Sequence, residues 1–133
     1  MKTKIATDIR QSRELLKLGL DPKTADMFWR DWRRDTKNIT YPCAGVGNEK
    51  EDLPAWSLSA LLDLLPESVS PDNDSYQIYY MQVYNHDSLH GVDYVGELEG
   101  DSLEGFCEAS FVDAAYKMIR WLIKHAYIET KVK

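Results

Sequence analysis

Cysteine is scarce: the 133 residues hold two, Cys43 and Cys107, far apart and without C-x-x-C spacing. That excludes a disulfide framework, and neither residue belongs to a zinc or redox motif. Long apolar runs are missing as well. Nothing approaches the ~20 residues that span a bilayer, and the charged stretch Met1 to Arg10 holds no signal-peptide core, so no membrane contact and a cytoplasmic location are expected. Glycine is sparse, and the GxG at Gly45-Val46-Gly47 lacks the third glycine and the strand-to-helix setting of a phosphate loop. No cofactor is predicted.

Basic residues are nearly absent from the middle. Between 41 and 115, Lys50 is the only Lys or Arg against fifteen Asp and Glu. Residues 1–40 carry ten bases against six acids, and residues 116–133 carry five against one. The net charge of −6 therefore hides basic ends around an acidic middle. Either the ends fold beside the middle and reduce its self-repulsion, or the middle offers an acidic face to a basic partner or imitates the charge of nucleic acid.

What is present suits a folded chain. With 44% apolar and 29% charged residues, disorder is disfavoured. The length falls just under the ~150 residues used as a prior for one domain, so a single α+β domain over 1–133 is predicted. Thr7 is placed to cap a helix over 8–18 that stops at Gly19, burying Ile9, Leu15, Leu16 and Leu20 while Arg10, Arg13 and Lys17 face water. Asp21-Pro22 opens a second helix through Trp29, giving an N-terminal helical hairpin. Ile39-Thr40-Tyr41 predicts a short strand before Pro42 and a turn over 45–48. Ser57 caps a third short helix striped by Leu58, Leu61, Leu62 and Leu65 and ended by Pro66.

Residues 76–84 are dense in aromatic and β-branched side chains and form the strongest strand signal. Both alternating faces are mostly apolar, so cover on both sides is expected. A connection over 85–91 leads to an antiparallel partner over 92–98, a small antiparallel sheet or hairpin. Ser110 and Asp113 then form a capping-box pattern for a long C-terminal helix to Ala126, packed on the sheet. Its apolar arc is Phe111, Ala114, Ala115, Met118, Ile119, Trp121, Leu122 and Ile123, and Asp113 and Lys117 are spaced as an i,i+4 pair.

Three stretches, Thr24-Ala25-Asp26-Met27-Phe28-Trp29, residues 54–62 from Pro54 to Leu62, and residues 113–122 from Asp113 to Leu122, resemble small proteins of prophages and other mobile elements of gut Bacteroidetes. The likeness spans most of the chain in order, but the matching residues are packing positions and caps. It implies a genetic context and carries no activity or site residue.

Residues able to do chemistry are few. His86-Asp87-Ser88-Leu89-His90 has the His-x3-His spacing of half a zinc finger without the other half; the plain alternative is polar loop residues between strands. Cys43 and Cys107 can be paired on paper with His86, His90 or His125, but no local motif supports a nucleophile. Cys107 reads as a buried small hydrophobe and Cys43 as the more exposed thiol. Glu97, Glu99 and Asp101 offer oxygen ligands, yet on a strand continuing to 101 they share one face and read as a solvated acidic edge. Asp72-Asn73-Asp74 begins like a calcium loop but lacks its glycine and distal glutamate. Trp29-Arg30-Asp31-Trp32-Arg33-Arg34 interleaves aromatics with arginines and suits a single nucleic-acid strand, with Trp29 as core the alternative.

The expectation is thus a cytoplasmic, non-enzymatic accessory protein of a phage or mobile element. It acts through contacts with a protein partner, using Glu97, Glu99 and Asp101 or exposed tyrosines; an antitoxin-like or immunity role shares that character. The second expectation is nucleic-acid binding through Trp32, Arg33 and Arg34.

Overall fold

Asp8, rather than Thr7, caps the first helix. In the computed structural model, which describes residues 4–30, 42–45, 52–71, 77–98 and 100–130, α1 spans Ile9–Lys17. Asp8 Oδ1 accepts from the Gln11 N–H at 2.7 Å while Gln11 Oε1 accepts from the Asp8 N–H at 3.0 Å, a reciprocal capping box. Thr7 is one residue too early for the cap because its hydroxyl is used elsewhere: it is fully buried, accepts from the Trp56 N–H at 3.0 Å and bonds Ser12 Oγ at 2.8 Å. Gly19, at φ 98°, ends the helix as its lack of a Cβ predicts.

The second predicted helix does not form, which removes the helical hairpin. Asp21 does cap and Pro22 does follow it, but only one 3-10 turn results, Pro22–Thr24. The chain then runs extended into β1, Met27–Trp29. Two strands distant in sequence bracket it antiparallel: β2, Cys43–Ala44, and β3, Leu53–Ala55. Side chains just upstream are recruited as well. Thr24 Oγ1 accepts from the Trp56 indole N–H at 2.9 Å, and Asp26 accepts from the Ser57 N–H at 2.9 Å and from its hydroxyl. These partners hold 24–29 open where local propensity favours a helix. The predicted strand over 39–41 lies outside the described residues.

Ser57 caps α2, Leu58–Leu64, by accepting from the Ala60 N–H at 3.2 Å. Leu61 and Leu65 are buried, Leu58 and Leu62 half-buried, and the chain turns extended at Leu65, as a residue before proline should.

A four-stranded antiparallel sheet follows: β4, Ser68–Val69; β5, Tyr79–His86; β6, Leu89–Val95; and β7, Ser102–Glu108, in that spatial order. The long connection predicted between β5 and β6 is a two-residue turn, Asp87-Ser88, with φ of 48° and 69°. The sequence pattern does not predict β7. Its Ser102, Gly105 and Cys107 interrupt the apolar alternation that marks a strand.

The last helix, α3, is Phe111–Lys124, and Ser110 Oγ accepts from the N–H groups of Val112 and Asp113 at 3.1 and 3.4 Å. The predicted Asp113–Lys117 pair acts only through charge, and the direct contacts of both residues go to longer-range partners. Lys117 bonds Glu108 on β7, and Asp113 Oδ1 accepts from Lys4 Nζ at 2.6 Å and Gln11 Nε2 at 2.8 Å.

α3 packs on β6, β7 and α2. Trp56, Leu61, Val92, Tyr94, Met118, Ile119 and Leu122 are fully buried there. The Tyr94 hydroxyl donates to the Pro66 carbonyl at 2.7 Å, and burial pushes its phenol up. A second cluster of Ala6, Trp29, Leu53 and Ala55 packs beneath α1, and Leu16 touches both clusters. The described elements thus form an α+β fold of three helices and two antiparallel sheets.

Candidate functional site

Alternation along paired strands sorts the four-stranded sheet into two faces. His90 packs against Phe111 of α3 with ring centroids 4.3 Å apart and the rings tilted by 38°, and Val92 and Tyr94 share its face, so the even-numbered residues of β6 meet the helix. The odd-numbered residues line the other face. Register completes it in three cross-strand rows: Tyr84, Gly91 and Cys107; Gln82, Asp93 and Gly105; Tyr80, Val95 and Ser102.

No described helix packs on this second face. Tyr80 is 47% exposed, and Gln82, Gly105, Cys107 and Ser102 are exposed too. The two-sided cover expected for β5 is therefore wrong. α3 lies over β6 and β7, so even Val83, on the helix side of β5, is 45% exposed.

The centre of the open face has unusual polar detail. The phenol end of Tyr84 lies across Gly91, where a Cβ would come within 2.1 Å of Cζ, so only glycine admits this ring position without a shift. Burial pushes the Tyr84 phenol up, and the neighbouring Cys107 and Asp93 add to the shift. Asp93 is half-buried beside Gly105, and its Oδ1 is closed off with no hydrogen-bond partner. Burial raises the Asp93 carboxyl above the ordinary carboxylate value.

The face runs at one end into a cleft of about 360 Å³, lined by Gln82, Val95 and Ser102 and by the β6–β7 turn. Glu97 and Asp101 lie in that turn. They do not continue a strand, because β6 ends at Val95 and the chain reverses: the Gly96 N–H donates to the Asp101 carbonyl at 2.7 Å and the Asp101 N–H to the Leu98 carbonyl at 3.0 Å. Glu97 is exposed. Asp101 is half-buried and accepts from the Tyr79 hydroxyl at 3.2 Å, so the two carboxylates do not form the shared strand face that alternation predicted. Glu99 lies outside the described residues.

The other candidates separate. His86 and His90 sit in β5 and β6 and not in a loop; His86 lies on the open face and His90, bonded to Asn85, on the helix face. Among the described residues no three His, Cys, Asp or Glu side chains gather as metal ligands. Cys107 is exposed and Cys43 half-buried, the reverse of the expectation. Trp32, Arg33, Arg34 and Asp72-Asn73-Asp74 lie outside the described residues. Trp29 is core: its indole N–H donates to the Thr7 carbonyl at 3.0 Å, which removes its ring from any stacking platform.

Sequence reasoning passed over Asp93, Gly91, Gly105 and Gln82. Their signal is the i, i+2, i+4 set Tyr80, Gln82, Tyr84, but pairing it with the glycines opposite requires the Asp87-Ser88 turn that sets the register. No family model, curated protein or solved structure matches this chain.

Proposed function

We propose that this chain is a protein-interaction module that binds its partner through the open face of the four-stranded sheet. The observation that carries this is the exposure of Tyr80 and Gln82 beside half-buried Tyr84 on a face that no described helix covers. Tyrosine gives contact area at low entropic cost, and an apolar ring with a polar tip is what interface centres favour. The cleft at the β6–β7 turn extends the surface and contributes Glu97 at its rim. A non-enzymatic accessory role in a phage or mobile element, in the cytoplasm, belongs to the same proposal and rests on the sequence resemblance and composition.

Affinity capture from host lysate after nuclease treatment tests the reading. A protein retained by the wild type and by an Ile5→Ser control, but lost with Tyr80→Ser, is the expected result; Ile5 is 50% exposed and outside the face. Retention that ignores Tyr80→Ser excludes the face as the contact surface. Both substitutions are at exposed positions and should change stability by no more than about 0.5 kcal/mol.

A further inference from the structure

We infer that two copies of this chain pair antiparallel through the outer edge of β5 and join their four-stranded sheets into one, an inference about the edge that is separate from the reading of the face above. β4 covers only the start of β5, with Val69 opposite Tyr79 and Ser68 opposite Tyr80. The Met81 N–H donates to the Glu67 carbonyl at 3.0 Å. Beyond Met81 no described strand pairs with β5 on that side.

The ladder shows which groups are left there. Along an antiparallel strand, successive residues turn their N–H and C=O toward one neighbour and then the other. Met81 turns its N–H toward β4, so Val83 and Asn85 turn theirs to the same side, where the edge is free. The two-residue turn agrees: it closes on His86 and Leu89 as a hydrogen-bonded pair, which leaves Asn85 facing outward. The Tyr84 ring between them leans over Gly91 on β6 and does not obstruct the edge.

β7, at the opposite end of the sheet, is guarded. Its Gly105 N–H is taken by Glu104 Oε1 at 2.9 Å, and Glu108 adds a second carboxylate to the strand. Charged side chains are a means by which native sheets keep an edge from pairing. β5 has no such guard. From Gln77 to His86 the chain carries no Lys, Arg, Asp, Glu or Pro, and Ile78, Tyr80 and Val83 are all exposed.

The same features select a second copy. An uncharged edge offers a basic or acidic segment nothing to complement, whereas β5 reversed is its own complement. With a two-fold axis at Tyr84, Val83 of one copy faces Asn85 of the other, and each outward N–H meets an outward C=O. Gln82 then faces His86, so no carboxylates oppose one another within the shared ladder over 82–86.

Sedimentation equilibrium of the full chain from about 10 µM to about 1 mM tests this. The average mass should rise from that of one chain toward that of two, and more readily as salt screens the net charge of −6. Val83→Lys puts a charge on the edge, and Val83→Pro removes an outward N–H that β6 does not use; each should weaken association by about tenfold or more. Val83→Thr, which keeps the branching and the N–H, and Glu104→Gln on β7 should leave it unchanged. Circular dichroism checks that each variant folds, and Val83→Lys decides the matter if the proline variant does not. Amide hydrogen exchange of the ¹⁵N-labelled chain locates the contact: Val83 and Asn85 should slow as concentration rises, while Cys107, two residues from Gly105 and outward on β7, should not. A wild type that stays monomeric at about 1 mM overturns the inference. So does association that Val83→Lys leaves undiminished, that responds to Glu104→Gln, or that protects Cys107 in place of Val83.

Discussion

Thr7 ties three elements together through a single residue. Its N–H donates to the Trp56 carbonyl at 2.9 Å, its carbonyl accepts from the Trp29 indole, and its hydroxyl meets both the Trp56 N–H and Ser12. Valine has the same shape and no hydroxyl. Thr7→Val should leave the Trp56 N–H buried and unpaired and lower stability by about 1–3 kcal/mol, whereas Thr7→Ser, which keeps the oxygen, should cost less. Urea denaturation of the three chains measures both. A loss for valine no larger than for serine would show that the hydroxyl does not hold the network. Cysteine gives a second test at this scale. Because Cys107 is exposed and Cys43 half-buried, brief treatment of the native protein with a maleimide should modify Cys107 first, read by peptide mass spectrometry; equal labelling would contradict the face assignment of β7.

Among the elements, the β5–β6 hairpin is set by its turn. Asp87 and Ser88 both hold positive φ, a conformation in which an asparagine-glycine pair is least strained. The double substitution Asp87→Asn with Ser88→Gly should raise stability by about 0.5–1 kcal/mol without altering the packed face. A drop in the denaturation midpoint would mean that the turn differs from a type I′ geometry. This turn also marks how much of the fold was legible in the sequence. α2, α3 and most of α1 were readable because their caps and stripes are local: Ser57, Ser110 and the leucines act within one or two helical turns. Thr7 misled by one position because a distant N–H, that of Trp56, takes the hydroxyl that local reasoning gave to the helix. β1 was unreadable for the same kind of reason. Its backbone partners lie at 43–44 and 53–55, and Asp21-Pro22 gives a true but brief helical start. β7 hid because an open sheet face needs no apolar residue at Gly105 or Cys107. The candidate site depends on both, so exposed tyrosines were foreseeable as a class while Asp93 and its glycine neighbour were not.

At the scale of the molecule, two carboxylates oppose one another in their response to pH. Asp113 joins the start of the chain to α3. Burial alone would raise its carboxyl, but hydrogen bonds from Lys4 and Gln11, with the charges of Lys4 and Lys117, outweigh that and hold it below its ordinary value of 3.8. A depressed carboxyl contributes stability above its unfolded value and loses it as pH falls through the folded one. Asp113→Asn should therefore cost about 0.5–1 kcal/mol at neutral pH, a figure reduced by the partial solvation of the pair, and nothing in strong acid. Asp93 has the opposite sign. Burial raises its carboxyl above 3.8, so the folded chain holds its proton longer than the unfolded one, and stability falls as pH rises from 3.8 through the raised value. Asp93→Asn should match the wild type below that window and melt higher than it above. Thermal melts of the two variants across pH separate these effects, and a lower melting temperature for Asp93→Asn at neutral pH would show that the carboxylate contributes to the fold and is not an unpaired cost carried by the open face.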